Sequence, residues 1–453
     1  MPQRPVPPAA AAAVRTPLLA GGPVCGRPPL HFGTHDSFDG GRQAMAHAQA
    51  GEAPRTTPAP QSSARRPPTF RAVLRHRSCG RLLIASVIGR LALGTTPITL
   101  ILAAQADGHS LAVAGLLAAL YGIAPALGLP LLGRMADLRG LPLPCHLGAA
   151  LVAVALGTLV LTGTSHLPLT AACVTLAGAG CPPLEGGLRS LWHTLLPDDA
   201  HIRTAYSLDS SSQEIVYVAG PAAAITIATW LSPAAALALA AVATLAGTLV
   251  FATARPARTW RPTHRPRSGS GALRPPAMRP LLMALVFLGA TVGALDIAAV
   301  ATAEHQHASW LAGAVPAVFS AAGLLGGVLF ARFQPAAAPG RCLLLLGTVF
   351  AACWLPLLAP VPALATLALA VLPGALFVPL LTVAGLTVAS LAPPGTSTEA
   401  VGWMTSAIRL GQAGGTALAG PLGGHFAVPL LAAALCALLL GARTAPAPAP
   451  AAA

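Results

Sequence analysis

The sequence predicts an all-α membrane protein with twelve transmembrane helices in two six-helix halves and both termini cytoplasmic. Three observations predict it: a scarcity of charge, a regular succession of apolar runs, and an arginine pattern that alternates from break to break. Of 453 residues, 55% are hydrophobic and 9% charged, and the mean hydropathy is +0.69. A soluble domain carries about 25% charged residues, so most of this chain faces something other than water.

From Leu82 onward, apolar stretches alternate with short polar breaks. The runs fall near 82–104, 110–132, 144–164, 167–190, 208–231, 233–254, 280–303, 309–331, 341–360, 363–390, 398–421 and 424–442. At 1.5 Å per residue, each run of about 18–25 residues spans roughly 30 Å of hydrocarbon. Internal breakers such as Pro373-Gly374 are tolerated where neighbouring helices satisfy the freed backbone groups.

All 27 basic residues are arginine, and their placement sets the orientation. Arg71, Arg75, Arg77 and Arg81 precede span 1, Arg134 and Arg139 follow span 2, and Arg203 follows span 4. Arg255, Arg258, Arg261, Arg265, Arg267, Arg274 and Arg279 fill the break after span 6; Arg332 and Arg341 flank the break after span 8, and Arg443 follows span 12. The opposite breaks hold Asp107, His166, Glu304 and His425 and no arginine. The positive-inside rule then puts the arginine-bearing breaks, and both termini, in the cytoplasm. The net charge of +14 follows from topology, and no nucleic-acid partner is expected. The Ala, Gly, Pro and Arg usage points to a GC-rich, bacterial source and to the cell membrane.

Five segments follow. Residues 1–70, rich in Pro, Ala, Ser and Arg, bury no apolar face and are expected to be disordered; no apolar h-region marks a signal peptide. Translation from Met45 would leave a short basic tail, and the sequence leaves both starts open. Residues 71–254 form an N-terminal half, 255–278 a basic linker, 279–443 a C-terminal half and 444–453 a disordered tail. The halves echo one another: Gly128 and Arg134 match Gly326 and Arg332, and Gly220-Pro221 matches Gly420-Pro421. Such duplicated halves are a known transporter plan. The eight cysteines have no metal-ligand spacing, and His305 and His307 sit two apart in a loop; neither a metal nor another cofactor is expected.

After span 2 comes Gly133-Arg134-Met135-Ala136-Asp137-Leu138-Arg139-Gly140. This resembles the loop signature of the major facilitator superfamily at Gly133, Asp137 and Gly140. Arg139 stands beside the usual basic position, which Leu138 occupies, and Leu141-Pro142 replaces the final basic pair. The resemblance covers roughly residues 71–443 and implies that this loop latches the halves on the cytoplasmic side. Gly220-Pro221 looks like the core of a signature of facilitator drug/proton antiporters, without its flanking glycines. The stretch from Arg203 to Pro221 is similar to actinobacterial facilitator proteins. The family fold further implies that spans 1, 4, 7 and 10 line a cavity, that 2, 5, 8 and 11 flank it, and that 3, 6, 9 and 12 support it.

Charges within spans are costly, at least about 2.5–3.5 kcal/mol each by insertion scales, and mark functional sites by default. Arg90 lies in span 1, Glu185 and Arg189 in span 4, Asp209 and Glu214 in span 5, Asp296 in span 7 and Arg409 in span 11; the interiors of spans 3, 6, 9 and 12 carry none. Depth arithmetic and the helix neighbours implied by the resemblance predict two ion pairs, Arg90–Glu214 and Asp296–Arg409. Glu185 and Arg189, four apart on one face, predict a local pair. Arg90, Glu185, Glu214, Asp296 and Arg409 are thus the candidates for substrate binding and proton coupling, with Asp296 first. A scaffold role for the pairs is the competing reading.

No nucleophile–base or metal constellation suggests an enzyme. The expected function is secondary active transport by a monomer: proton-coupled efflux of a small amphipathic or hydrophobic molecule by alternating access. Metabolite uptake or uniport on the same fold, and a transporter-like sensor that no longer transports, are the alternatives.

Overall fold

The computed structural model describes residues 68–76, 78–261, 271–333 and 339–444. Arg77, most of the 1–70 tail, the linker residues 262–270 with Arg265 and Arg267, and the tail from 445 lie outside the described residues. The N-terminal half holds α1 (Phe70–Arg75), α2 (Cys79–Ala106), α3 (Leu111–Ile123), α4 (Pro125–Arg139), α5 (Pro142–Thr162), α6 (Leu167–Ala179), α7 (Leu184–Leu195), α8 (Asp199–Trp230) and α9 (Pro233–Thr253). The short α10 (Arg255–Thr259) and a 3-10 turn (Gly271–Leu273) follow, then α11 (Met278–His305), α12 (Leu311–Phe333), α13 (Pro339–Ala352), α14 (Ala363–Leu391), α15 (Ser397–Ala419) and α16 (Ala427–Thr444).

Nine helical stretches among the described residues are long and apolar enough to cross a membrane, with α3–α4 and α6–α7 each counted as one stretch. Large apolar side chains also point outward, Leu127 at 73% exposure and Leu161 at 87%. A soluble monomer does not carry so apolar an exterior, and lipid is the solvent that suits it. The chain is a multi-pass membrane protein. The stretches outside the nine differ in character: α8 and α15 carry many polar residues, and α16 is short.

Local chemistry accounts for most boundaries. Ser110, Asp198 and Ser232 cap α3, α8 and α9 by accepting a backbone N–H with the side chain, as expected at N-caps. Pro125, Pro142 and Pro233 sit in first turns, where the missing N–H costs nothing. Two findings depart from the predicted spans. The fourth run is broken at Gly180–Pro183, since Pro182 and Pro183 donate no hydrogen bond; Glu185 therefore lies in the first turn of α7. The fifth helix starts at Asp199, nine residues before its apolar run, because its polar first turns are buried against protein: Thr204, Tyr206 and Ser207 are each at most 1% exposed.

The two halves pack alike. In the first, α2 lies against α8 and α9, and α4 and α5 against α6; in the second, α11 lies against α15 and α16, and α12 against α14. The Gly128/Gly326 echo has a structural meaning. A Cβ on Gly128 would run into the backbone of Ala179, and one on Gly326 into that of Ala375, so each glycine admits the neighbouring helix at the same place in its half. The second echo holds only in sequence: Gly220 lies inside α8 against Gly94, whereas Gly420 caps the end of α15 and faces open space. The halves meet where α15 crosses α4 and α7, and where α8 crosses α12 and α14.

Candidate functional site

A cavity of about 360 Å³ lies between the halves, lined by α7, α8, α11, α12, α14 and α15. Among the described residues none of α5, α9, α13 or α16 reaches it; α2, which the resemblance puts on the wall, does not reach it either, whereas α8, α12 and α15, expected to flank it, line it. Its wall is mostly apolar, with Leu295, Phe319, Phe377, Leu381, Met404 and Ile408. The ionisable groups on it are Glu185, Glu214, Tyr217, Asp296 and Arg409. Four of the five site candidates thus share one cavity.

Arg90, the fifth, lies behind it, 4% exposed. The predicted Arg90–Glu214 pair does not form. Arg90 Nη2 instead donates to Asp209 Oδ1 at 2.8 Å, and Arg189 Nε donates to Asp209 Oδ2 at 2.9 Å. Asp209, fully buried, is the hub that the sequence reading left outside its candidate set. The helix runs ten residues before reaching it, so Asp209 sits about 15 Å along α8, not at the mouth of a span. The local pair does form, with Arg189 Nη2 at 2.8 Å from Glu185 Oε1. Arg90 Nη1 stands 4.0 Å from Glu185 Oε2. Two arginines and two carboxylates thus neutralise one another within α2, α7 and α8.

Glu185 connects this cluster to the other half. Its Oε2 accepts from Gln213 Nε2 at 2.7 Å and from Thr405 Oγ1 of α15 at 3.3 Å. A second void of about 20 Å³ is bordered by Arg90, Glu185, Gln213, Tyr217, Thr405 and Arg409, and all of these except Arg90 also line the main cavity.

The predicted Asp296–Arg409 pair is also absent. Arg409 donates to the Tyr217 hydroxyl, and its guanidinium lies 4.9 Å from that ring's centroid. Glu214, 6% exposed, accepts from the Ser320 hydroxyl. Among the described residues neither Glu214 nor Asp296 enters an ion pair. The reason lies in rotation about the helix axis. Depth placed Asp296 and Arg409 at compatible levels, but α11 and α15 approach through Gly289, Gly293, Gly411 and Gly415. That seam leaves both side chains on the cavity wall without joining them. Gly411 and Gly415 therefore pack within one half, while Gly327 meets the other half: its carbonyl accepts from Ser207 Oγ at 2.6 Å.

At the start of α15, the loop signature touches the opposite half. Asp137, wholly buried, accepts from the backbone N–H of Thr398 at 3.1 Å and of Glu399 at 2.8 Å. These are orphan donors at the start of α15, where a carboxylate also meets the positive end of the helix dipole. Gly133 lets α4 come this close, since a Cβ there would sit 2.7 Å from the Thr398 carbonyl. Gly140 ends α4 at φ +90°, a conformation that favours glycine. Arg139 is exposed in the last turn. Ser190 Oγ adds contacts to Ser397 Oγ at 3.0 Å and Thr398 Oγ1 at 3.1 Å. Among the described residues, no cluster of three or more His, Cys, Asp or Glu is placed to hold a metal ion.

Solved structures with this fold include the human organic anion transporter MFSD10 (TETRAN), at 16% identity and TM-score 0.62 over 81% of this chain and 100% of that one. A bacterial homologue of the iron transporter ferroportin in an outward-facing state aligns at 14% identity and TM-score 0.63, over 81% and 99%. FucP, a transporter in the outward conformation, aligns at 15% and 0.56, over 82% and 100%. No curated protein sequence matches the chain significantly. The family profile of the Major Facilitator Superfamily matches residues 82–416. With a match over most of its length, a paired-bundle fold and the loop signature in place, this chain belongs to the Major Facilitator Superfamily.

Proposed function

We propose that the chain is a proton-coupled secondary transporter that exports a small amphipathic molecule by alternating access. On this reading α8, α15 and α16 complete twelve spans, both termini are cytoplasmic, the linker 255–278 joins halves 71–254 and 279–443, and the monomer works in a bacterial cell membrane. The observation that carries the proposal is the pair of carboxylates, Glu214 and Asp296, on the wall of a central cavity without ion-pair partners among the described residues. Whether such a group holds a proton depends on the water and charge around it. A cavity that opens alternately to two sides changes both, and so ties protonation to conformation.

The latch at Asp137 gives the cycle a closed end, and Arg409, held by Tyr217, is available to a carboxylate when the halves move. The cargoes named for two structural neighbours fit less well. An organic anion would face more carboxylates than arginines on this wall, and iron would lack a ligand cluster among the described residues.

Proteoliposomes with an internal pH indicator test the reading. Addition of a transported solute is expected to move protons in the wild type and not in Glu214→Gln/Asp296→Asn, at equal protein level; the single variants assign the carrier. Undiminished solute-driven proton flux in the double variant would sink it. For topology, a cysteine at Gln306 is expected to react with an impermeant maleimide on intact cells, and a reporter between Pro262 and Ser270 to read as cytoplasmic. Labelling of Gln306→Cys only after permeabilisation would reverse the orientation.

A further inference from the structure

We infer that the cavity selects an organic cation, an amine or quaternary ammonium with an apolar body, which competes with protons for Glu214 and Asp296. This inference rests on the transport reading above and deepens it.

The charges on the wall decide the sign of the ligand. Of its three carboxylates, Glu185 is already held by Arg189 at 2.8 Å and by Gln213. Glu214 and Asp296 have no such partner among the described residues. The one arginine among the described lining residues, Arg409, is engaged by the Tyr217 hydroxyl and ring. An anion would meet this single arginine beside two carboxylates that enter no ion pair among the described residues. A cation meets both carboxylates with their charge unspent.

The rest of the wall decides the body. Phe319 and Phe377, with ring centroids 5.5 Å apart, form an aromatic corner on the same wall, and aromatic faces attract desolvated cations. Leu295, Leu381 and Ile408 supply apolar area beside it. About 360 Å³ lies within the roughly 300–1,000 Å³ range of small-molecule pockets. A bare metal ion would leave this apolar surface unused, and the ligand groups for one are not gathered among the described residues. The stoichiometry follows from charge: a cation that takes a carboxylate displaces the proton held there, so binding and protonation exclude one another at the same atoms.

Two water-soluble probes of similar size and opposite charge test this: phenyltrimethylammonium and benzenesulfonate, titrated calorimetrically into the full-length protein in nanodiscs. The wild type is expected to bind the ammonium in preference to the sulfonate, with affinity falling as pH is lowered. Glu214→Gln and Asp296→Asn are each expected to weaken ammonium binding at least about tenfold. Arg409→Gln removes the positive charge from the wall and is expected to tighten it about threefold; this variant keeps the test decisive if a carboxylate variant does not fold. Preference for the sulfonate, absence of ammonium binding, or unchanged ammonium affinity in all three variants would overturn the inference. The transport reading is judged apart from this: solute-driven proton flux that persists while the ammonium fails to bind rejects the cation and keeps the transporter, and ammonium binding without proton flux does the reverse.

Discussion

In the N-terminal half, Arg90, Glu185, Arg189 and Asp209 neutralise one another in a buried cluster, whereas in the C-terminal half Asp296 and Arg409 stand on the cavity wall unjoined. The helices that carry these groups pack in corresponding ways, α2 against α8 and α11 against α15, yet the seams differ in chemistry. The second seam closes through backbone contact at Gly289, Gly293, Gly411 and Gly415, and close glycine packing asks nothing of polar side chains. The first contains an aspartate that two arginines share. The first seam has a glycine contact of its own, Gly94 against Gly220, and adds charges that are spent on one another; the second adds none, and Asp296 and Arg409 stay available to a ligand. Glu214, on α8 beyond the cluster, stays outside those ion pairs and shares the cavity wall with Asp296, so the unspent carboxylates come from both halves.

The largest effect expected from this contrast is on stability. Asp209→Asn leaves two arginines buried without their shared counter-charge, and removing one partner of a buried ion pair costs about 3–5 kcal/mol. Thermal unfolding in detergent should show a large drop for Asp209→Asn and a change below about 1 kcal/mol for Asp296→Asn, which removes no contact of that kind. Equal losses in both variants would erase the distinction between the halves.

An intermediate effect is expected at the seam between them. Asp137→Ala removes the side chain that satisfies two N–H groups at the start of α15, a loss comparable to an N-cap deletion of about 1 kcal/mol. The opening of that end should rise accordingly, about fivefold, read as faster maleimide labelling of a cysteine placed at Ser190. Labelling at the wild-type rate would show that the seam is held elsewhere.

The smallest effect lies outside the bundle. Asp107, exposed after α2, accepts from the Thr164 backbone N–H and hydroxyl, both at 2.6 Å. These bonds hold its carboxyl below the ordinary carboxylate range. A depressed folded value means that the contact contributes fully above the unfolded value, about 3.9, and is lost as pH falls through the folded one. Hydrogen exchange at Thr164 should therefore be constant from neutral pH down to about 4, after correction for intrinsic rates, and accelerate only below it; acceleration near pH 6 would contradict the assignment.

The fold was legible because membrane spans announce themselves as runs of apolar residues, and the loop signature because its work is done by Asp137 and the small residues around it. Leu138 in place of the usual basic residue leaves that work intact, since Asp137 reaches backbone N–H groups and needs no cationic neighbour. Glu185–Arg189 was legible because both lie on one helix, where spacing fixes the geometry. The two other pairs were not. Each helix residue turns the side-chain direction by roughly 100°, so the depth of two groups on different helices says how high they stand and not which way they face. Asp209 was passed over for another reason: the polar turns from Asp199 to Leu208 looked like a loop, whereas protein neighbours bury them and carry the helix through.

Asp137 also bears on time. In the proposed cycle of alternating access, each turnover would break the two hydrogen bonds that Asp137 receives from α15. Their loss is comparable to an N-cap deletion of about 1 kcal/mol, and each 1.36 kcal/mol of barrier slows a step about tenfold. On that reading the strength of this one contact sets the pace of the cycle. A weaker latch would shorten the cycle and let ions slip through unaccompanied; a stronger one would hold the protein at rest with its cargo still inside.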